Sequence, residues 1–175
     1  FTIARRRILW LLILVLANGL TTKVIAMNDQ ILKEIVLLAA FIPLLIGTGG
    51  NVGAQSSTVV IRGLSTQKLK SLGAFKAVVK EAITGALLGI LMMLVVFPFA
   101  WWQGEGPLIA FAVGISLISI TTLAATAGAI LPLLFDRMGL DPALMSSPFI
   151  TTVTDIAGVF IYLSTANWLL NSSML

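Results

Sequence analysis

Hydrophobic and polar positions alternate along this chain in long blocks rather than residue by residue. Five apolar blocks cover residues 8–26, 35–61, 77–102, 107–134 and 148–172, and short polar stretches separate them. Each block is long enough for a helix that crosses a lipid bilayer, and helices satisfy their own backbone hydrogen bonds there. The pattern therefore predicts an all-α membrane protein with five transmembrane helices, forming one transmembrane channel domain over residues 1–175.

The fifth block carries an acidic residue inside an apolar helix. Pro148 is predicted to open this helix, which places Asp155 about 10 Å along it. A carboxylate at that depth costs about 2.5–3.5 kcal/mol, so it should face protein, water or a cation. Two interpretations remain open: an ion or proton path, and a hydrogen bond that joins two helices. Hydroxyls surround Asp155 on the preceding turn, from Thr151, Thr152 and Thr154.

The second block has an apolar first half and a polar, glycine-rich second half. Residues 47–58 read GTGGNVGAQSST, at a depth that should be hydrocarbon. Such a stretch is tolerated where it is buried in protein or lines a wet cavity, so it is predicted to form the second wall of the Asp155 site. Close packing of helices through small residues is the alternative, and the two interpretations are compatible.

Composition narrows the class of protein. The chain is 58% hydrophobic and 10% charged, with a mean hydropathy of +1.06, whereas soluble domains are about 25% charged. The 11 basic residues lie mostly between apolar blocks, where they set membrane orientation rather than bind nucleic acid. The sequence has no cysteine and no histidine, which excludes disulfides and thiolate metal sites and leaves little machinery for an enzyme.

The basic residues also predict which side of the membrane each end occupies. They cluster on one side of the predicted five-span layout, at positions 5–7, in the 62–80 linker and at Arg137. The positive-inside rule places the N-terminus and this linker in the cytoplasm and the C-terminus outside. The linker is predicted to form a surface helix at the lipid headgroups. Because the first helix follows Phe1 almost at once, we interpret the chain as part of a longer protein.

The candidate ligands in the two walls are all oxygen atoms. They come from the Asp155 carboxylate, hydroxyls, the Asn51 and Gln55 amides, and carbonyls freed near glycines, and hard cations prefer such ligands. One carboxylate cannot hold a dehydrated divalent ion, but Mg²⁺ often keeps several waters. Two copies of Asp155 across a two-fold axis would supply two charges around a hydrated ion. A proton or Na⁺ path through one subunit fits these residues nearly as well.

Two motifs resemble the MgtE family of magnesium channels. Residues 43–64, PLLIGTGGNVGAQSSTVVIRGL, resemble that family's second membrane helix, and GLDPAL at 139–144 with SPFITTVTDIAG at 147–158 resemble its last loop and fifth helix. The resemblance implies a homodimeric Mg²⁺ channel in a bacterial or archaeal plasma (inner) membrane, with its pore on the dimer axis. It also implies that Asp155 of both chains contacts hydrated Mg²⁺ and that the Thr151 carbonyl lines the same metal site. The residues expected to line or gate the pore are Gly47, Gly50, Asn51, Ala54, Leu144, Ser147 and Thr154.

The same resemblance implies further domains and partners, and this chain differs from better-known family members at two positions. The family usually adds cytoplasmic domains that sense Mg²⁺ before the first span, and these are expected to precede this chain in a full-length protein. Better-known members carry asparagine where Ala54 and Ser147 stand, so the cytoplasmic constriction is expected to differ. Besides a second copy, the only other partner expected is membrane lipid.

Three other functions can be weighed against a passive channel. A proton- or Na⁺-coupled divalent cation transporter is the main alternative, although the sequence shows no inverted repeat and only one intramembrane acid. An intramembrane enzyme would need a Ser/Lys pair, and the lysines lie at the ends of the spans. A simple membrane anchor would gain nothing from the polar half of the second block.

Overall fold

The computed structural model describes residues 2–66, 73–103 and 106–172. All regular secondary structure in these ranges is helical, in agreement with the predicted all-α fold. The helices are α1 (Thr2–Met27), α2 (Asp29–Glu34), α3 (Val36–Ser65), α4 (Ala74–Trp102), α5 (Pro107–Arg137) and α6 (Pro142–Ser172).

Four helical segments in the described residues are long and apolar enough to cross a membrane. They are Val36–Ser65, Ala74–Trp102, Pro107–Arg137 and Pro148–Asn171. Helix α1 contributes only a shorter apolar segment, Leu11–Met27. Polar residues in its second half, Asn18, Thr21, Thr22 and Lys23, lower its hydropathy. Four of the five predicted spans are therefore confirmed as helices of sufficient length, while the span at 8–26 stays a prediction.

Helix α5 is the centre of the structure. It packs against α3, α4 and α6, and α3 and α6 also contact each other, while α1 lies against α6. Buried apolar side chains fill the space between these helices, with Leu38 of α3, Leu117 and Ile120 of α5, and Tyr162 and Leu163 of α6 each fully buried. This arrangement leaves α4, which packs mainly on α5, at one edge of the bundle.

Small residues allow α4 to approach α5 closely. A Cβ atom on Gly85 would lie 2.5 Å from the Thr121 carbonyl oxygen, and one on Gly89 would lie 2.5 Å from the Ile118 Cα. Gly85 and Gly89 therefore let the backbones of α4 and α5 meet, because neither glycine has a side chain to keep them apart.

Helix α6 begins six residues earlier than predicted. It starts at Pro142, and Pro148 lies inside it. The side-chain Oδ1 of Asp141 accepts a hydrogen bond from the Ala143 backbone N–H at 2.9 Å, which satisfies a donor that a helix start would leave unpaired. Asp141 thus caps the helix and Pro142 occupies its first turn, so α6 begins there rather than at Pro148.

The polar stretch between the first two apolar blocks is not simply a connection. It contains the short helix α2, which ends at Glu34. Lys33 and Asp29 form an ion pair across one turn of α2, which helps so short a helix to form. Within the 62–80 linker, which was predicted to form a surface helix, α3 extends to Ser65 and α4 begins at Ala74, and residues 67–72 lie outside the described ranges. Lys68 and Lys70 lie outside the described residues.

Four hydroxyls of the fourth predicted span bond to their own helix. Each donates to a backbone carbonyl one turn earlier in α5, at 2.6 to 3.0 Å, and the donors are Ser119, Thr121, Thr122 and Thr126. The buried Ser116 hydroxyl has no hydrogen-bond partner among the described residues. Bonding to their own backbone gives the four other hydroxyls a structural role in α5.

Candidate ion site between helices α3 and α6

The polar half of α3 is a regular helix. The helix runs from Val36 to Ser65 with Pro43 inside it, so the prediction of carbonyls freed around the glycines is wrong. Residues 47–58 instead separate onto two faces. The buried face holds Gly49, Val52, Gly53, Ser56 and Ser57. The exposed face holds Gly47, Asn51, Gln55 and Thr58.

The buried face serves close packing. A Cβ on Gly49 would lie 2.6 Å from Ile120 Cγ2 of α5, and one on Gly53 would overlap Ile150 of α6. These glycines match the packing interpretation of the motif. The exposed face, on another side of the same helix, leaves polar groups uncovered at membrane depth, as the cavity-wall interpretation requires. The packing interpretation therefore holds for the buried side of α3, while the cavity-wall interpretation of the exposed side stays a prediction.

Contacts of the same glycines define the register between α3 and α6. A Cβ on Gly49 would lie 3.7 Å from Thr154 Cβ, and one on Gly50 would lie 3.8 Å from Thr151 Cγ2. As the position on α3 increases, its partner on α6 decreases, so the two helices are antiparallel. This register places Asn51 level with Thr151 and Gly47 level with Asp155.

In this register, Asp155 lies level with Gly47, in a part of the α3–α6 face that no described side chain covers. Its side chain is half-buried, and Thr151, one turn before it on the same side of α6, is exposed. Nothing lies within 4 Å of where a Cβ on Gly47 would stand. The absence of a side chain at Gly47 therefore leaves open space on α3 at the same level as the Asp155 carboxylate. A hydrated cation is large and would need such space.

The threonines before Asp155 have different surroundings. The Thr151 hydroxyl donates to the Pro148 carbonyl at 3.0 Å. The Thr154 hydroxyl donates to the Ile150 and Thr151 carbonyls, both at 2.9 Å, and the Thr154 side chain is fully buried toward Gly49. Thr152 is also buried. The structure thus brings Thr151 to the exposed face with Asp155 and turns Thr154 away from it.

The other predicted pore residues lie toward the Arg62 end of α3. Ala54 is half-buried and lines a cavity of about 370 Å³ with Ser57, Thr58, Ile61, Arg62 and Ala143. A second cavity of about 620 Å³ also contains Ile61 and Ala143 and reaches Asp136, Arg137 and Asp141. Leu144 and Ser147 belong to the first turns of α6, but their side chains lie outside the described residues.

Comparison with known proteins identifies the relatives of this helix bundle. The family model of MgtE, described as a divalent cation transporter, matches residues 42–165, which include both walls of the site. The chain belongs to the MgtE family. The resemblance that the two motifs carry is thereby confirmed.

Three curated relatives, each named magnesium transporter MgtE, align with nearly the whole chain. The protein from Thermus thermophilus is 39% identical over 95% of this chain. Those from Enterococcus faecalis and Bacillus subtilis are 36% and 32% identical over 94% and 98% of it. The chain spans 36 to 38% of the length of these relatives.

Thr58 belongs to the exposed face together with Gln55, which was predicted as a candidate ligand, but Thr58 itself was not predicted for the site. It follows Asn51 by seven residues, a spacing that keeps side chains on one side of a helix. That spacing was the signal available in the sequence. Arg62, a further turn along, continues the same stripe and is exposed. In this member of the MgtE family, the polar face therefore runs for about four turns of α3.

Within the described ranges, acidic side chains are scattered rather than clustered. They contain no group of three or more Asp or Glu side chains placed to hold a metal ion together. The α3–α6 face of one MgtE chain offers a single carboxylate, Asp155, with amide and hydroxyl oxygens around it. A divalent cation on this face would consequently need water or a second chain to complete its ligands.

Proposed function

We propose that this chain forms the membrane part of a Mg²⁺ channel, with a pore on the two-fold axis of a homodimer. The observation that carries the proposal is the exposed polar face of α3 and α6, which presents Asn51, Gln55, Thr151 and Asp155 at membrane depth in a single chain. Its relatives are named magnesium transporters, which supports Mg²⁺ as the cargo.

The energetics of the bilayer support pairing of two such faces. Facing lipid, the Asp155 carboxylate alone would cost about 2.5–3.5 kcal/mol, and the two amides would add to this cost. A second copy placed by a two-fold axis covers the face with an identical polar surface and adds a second Asp155. Water between the two faces then solvates both carboxylates. The pore and the dimer interface are in this proposal the same surface.

The ligand chemistry supports a hydrated ion. Two carboxylates supply two negative charges, while the Thr151 carbonyl, the Asn51 and Gln55 amides and the open space at Gly47 suit the outer oxygens of a water shell. Because Mg²⁺ releases its waters reluctantly, it usually keeps several of them when it binds to a protein. Asp155 is proposed to attract the ion, and Gly47 and Asn51 to leave room for its waters.

The remaining features follow from a channel in a plasma (inner) membrane. Helix α1 is proposed as the fifth span, with its N-terminus and the Arg62 end of α3 in the cytoplasm. The membrane potential is worth about 2.3 kcal/mol per charge per 100 mV, so inward movement of Mg²⁺ needs no coupled ion or enzymatic step. The part of the relatives that this chain does not span is proposed to correspond to cytoplasmic domains that sense Mg²⁺.

The deciding experiment measures Mg²⁺ flux into liposomes that contain this chain. Flux is recorded at controlled membrane potential and pH, for the parent and for Asp155→Asn. We expect flux that follows the potential, is independent of pH and Na⁺ gradients, and falls at least tenfold in Asp155→Asn. The change keeps the shape of the side chain and removes its charge, so the variant should still assemble.

A matched control separates the site from general damage. Asp141→Asn removes a carboxylate outside the α3–α6 face while keeping an oxygen that can cap α6, and it should retain most of the flux. Flux that tracks a proton or Na⁺ gradient would replace the channel with a coupled transporter. Full flux in Asp155→Asn would remove Asp155 from the ion path.

A further inference from the structure

The outer surface of α4 is far from the proposed pore and has its own chemistry. Helix α4 packs on α5, and its buried stripe is Ala77, Glu81, Gly85, Gly89 and Ala100. The opposite side is exposed and apolar from the first turn onward. Phe75, in that first turn, is 79% exposed, the largest exposed fraction of any phenylalanine in the described ranges.

Phe75 stands between two apolar grooves. One, of about 330 Å³, runs along α4 and is lined by Phe75, Lys76, Val79, Lys80, Ile83 and Thr84. The other, of about 370 Å³, lies between α4 and the end of α5 and is lined by Ala74, Phe75, Val78, Ile130, Leu133, Leu134 and Arg137. We call this pair the Phe75 grooves. Their linings are mainly apolar and include three cations, Lys76, Lys80 and Arg137.

The linings of the two Phe75 grooves contain Lys76, Lys80 and Arg137 but no acidic side chain, although Arg137 also lines the larger cavity that contains Asp136 and Asp141. Lys76, Lys80 and Arg137 are exposed, and the only ion pair between described residues joins Lys33 and Asp29. Glu81, next to Lys80 in sequence, lies on the buried stripe of α4 instead. Asp136, next to Arg137, lines the larger cavity at the α3 end and neither of the Phe75 grooves.

The length of α4 places these cations at the level of the lipid headgroups. Phe75 and Trp102 lie near the two ends of this 29-residue helix, which spans about 40 Å between them. This matches the thickness of a bilayer with its headgroup regions, about 40–45 Å. Trp101 and Trp102 are exposed at the far end, as expected of aromatic anchors in one interface. Lys76 and Lys80, near the opposite end of α4, therefore lie in the other membrane interface.

We propose that the Phe75 grooves bind an anionic phospholipid, with its phosphate among Lys76, Lys80 and Arg137 and its acyl chains on either side of Phe75. Apolar linings that include cations and no acidic side chain match a molecule with apolar chains and a negative headgroup. In the proposed orientation this surface lies in the cytoplasmic leaflet, where anionic lipids concentrate. Only the choice of leaflet rests on the proposed channel topology.

The test places a fluorescent reporter in the grooves. Phe75→Trp is made in the full chain, and the protein is reconstituted in phosphatidylcholine containing either brominated phosphatidylglycerol or brominated phosphatidylcholine. Bromine quenches tryptophan fluorescence at contact. The parent has four tryptophans, so the fluorescence of the variant minus that of the parent reports the lipid next to position 75. We expect brominated phosphatidylglycerol to quench this signal at a mole fraction several-fold lower than brominated phosphatidylcholine requires.

Charge variants then test the headgroup contact. In the Phe75→Trp background, Lys76→Gln and Lys80→Gln should each weaken the preference about fivefold, and adding Arg137→Gln should abolish most of it. The preference should also fall with added salt. The matched control, Lys23→Gln with Lys33→Gln, removes two exposed cations elsewhere and should leave it unchanged.

Three results would overturn the proposal. Equal quenching by the two brominated lipids would mean that the grooves do not select charge. A preference that survives the triple charge variant would mean that the selected lipid lies elsewhere. Quenching by neither lipid would mean that a second copy or another segment covers Phe75. All three are read without a Mg²⁺ gradient, so they are independent of the channel test.

Discussion

Gly128 of α5 lies directly against Gly53 of α3. A Cβ on Gly128 would overlap the Gly53 carbonyl oxygen and would come within 3.1 Å of Ser56 Cβ, and a Cβ on Gly53 would lie 3.2 Å from the Ala124 carbonyl oxygen. The two helices thus touch backbone to backbone at the level of the polar motif. This contact sets the position of α3 relative to the central helix, and with it the position of the exposed polar face.

Gly128→Ala should therefore destabilise the bundle. The added methyl group meets a backbone atom, which cannot move aside as a side chain could, and overpacking of this kind costs about 1–3 kcal/mol. We expect a lower melting temperature in detergent and a reduced fraction of folded protein, both measured by size-exclusion chromatography after heating.

Gly19→Ala is the control for that measurement. Gly19 lies in α1, and nothing lies within 4 Å of the place that its added methyl group would occupy. The change should be neutral or slightly stabilising, since alanine favours a helix by about 1 kcal/mol over glycine. Equal melting temperatures for Gly128→Ala and the parent would show that the α3–α5 contact can relax without loss.

Gly47 gives a prediction about conduction rather than stability. Because open space surrounds it at the level of Asp155, Gly47→Leu should fold and assemble normally but place an apolar side chain where the waters of the ion are proposed to lie. We expect Mg²⁺ flux into liposomes to fall at least tenfold, and a smaller fall for Gly47→Ala.

The comparison variant for Gly47 is Ile83→Ala, an exposed position on the outer surface of α4, which should not alter flux. If Gly47→Leu conducted as well as the parent, the ion path would have to pass elsewhere than the α3–α6 face.

The dimer can be tested with single cysteines, because the natural chain has none. Thr151→Cys and Phe160→Cys are both exposed positions on α6, two and a half turns apart and so on opposite sides of the helix. If the polar faces of two chains meet, Thr151→Cys should form a disulfide between chains under mild oxidation, since Cα atoms within about 7 Å can be bridged.

Phe160→Cys should remain monomeric on a non-reducing gel, because its side of α6 is directed away from the polar face. The reverse pattern, with crosslinking only at position 160, would place the dimer interface on the other side of α6 and would separate it from the proposed ion path.

Local sequence features predicted much of this arrangement. The apolar blocks gave the all-helical fold and four spans that the structure contains, because a run of about twenty or more apolar residues has few alternatives to a membrane helix. Asp155 stood out because a lone carboxylate in such a block is costly wherever it faces.

Other local signals were misread because a competing signal lay close by. Pro148 looked like a helix start, but Asp141 and Pro142 cap α6 six residues earlier. The glycines of residues 47–58 suggested broken backbone, yet α3 is continuous there. Glycine lowers helix propensity by only about 1 kcal/mol, and packing against α5 and α6 outweighs that cost.

The sequence by itself determined which residues are chemically unusual for a membrane: the carboxylate at 155, the amides at 51 and 55, and the glycines around them. Only the tertiary structure decided which of them share a surface. It turned Gly49, Gly53 and Thr154 inward and left Gly47, Asn51, Gln55 and Thr151 exposed. The physical reason is that the surroundings of a side chain come from helices distant in sequence. Ile120 and Ile150 lie some 70 to 100 residues from the α3 glycines that they contact. A local sequence pattern does not show which distant residues will become neighbours.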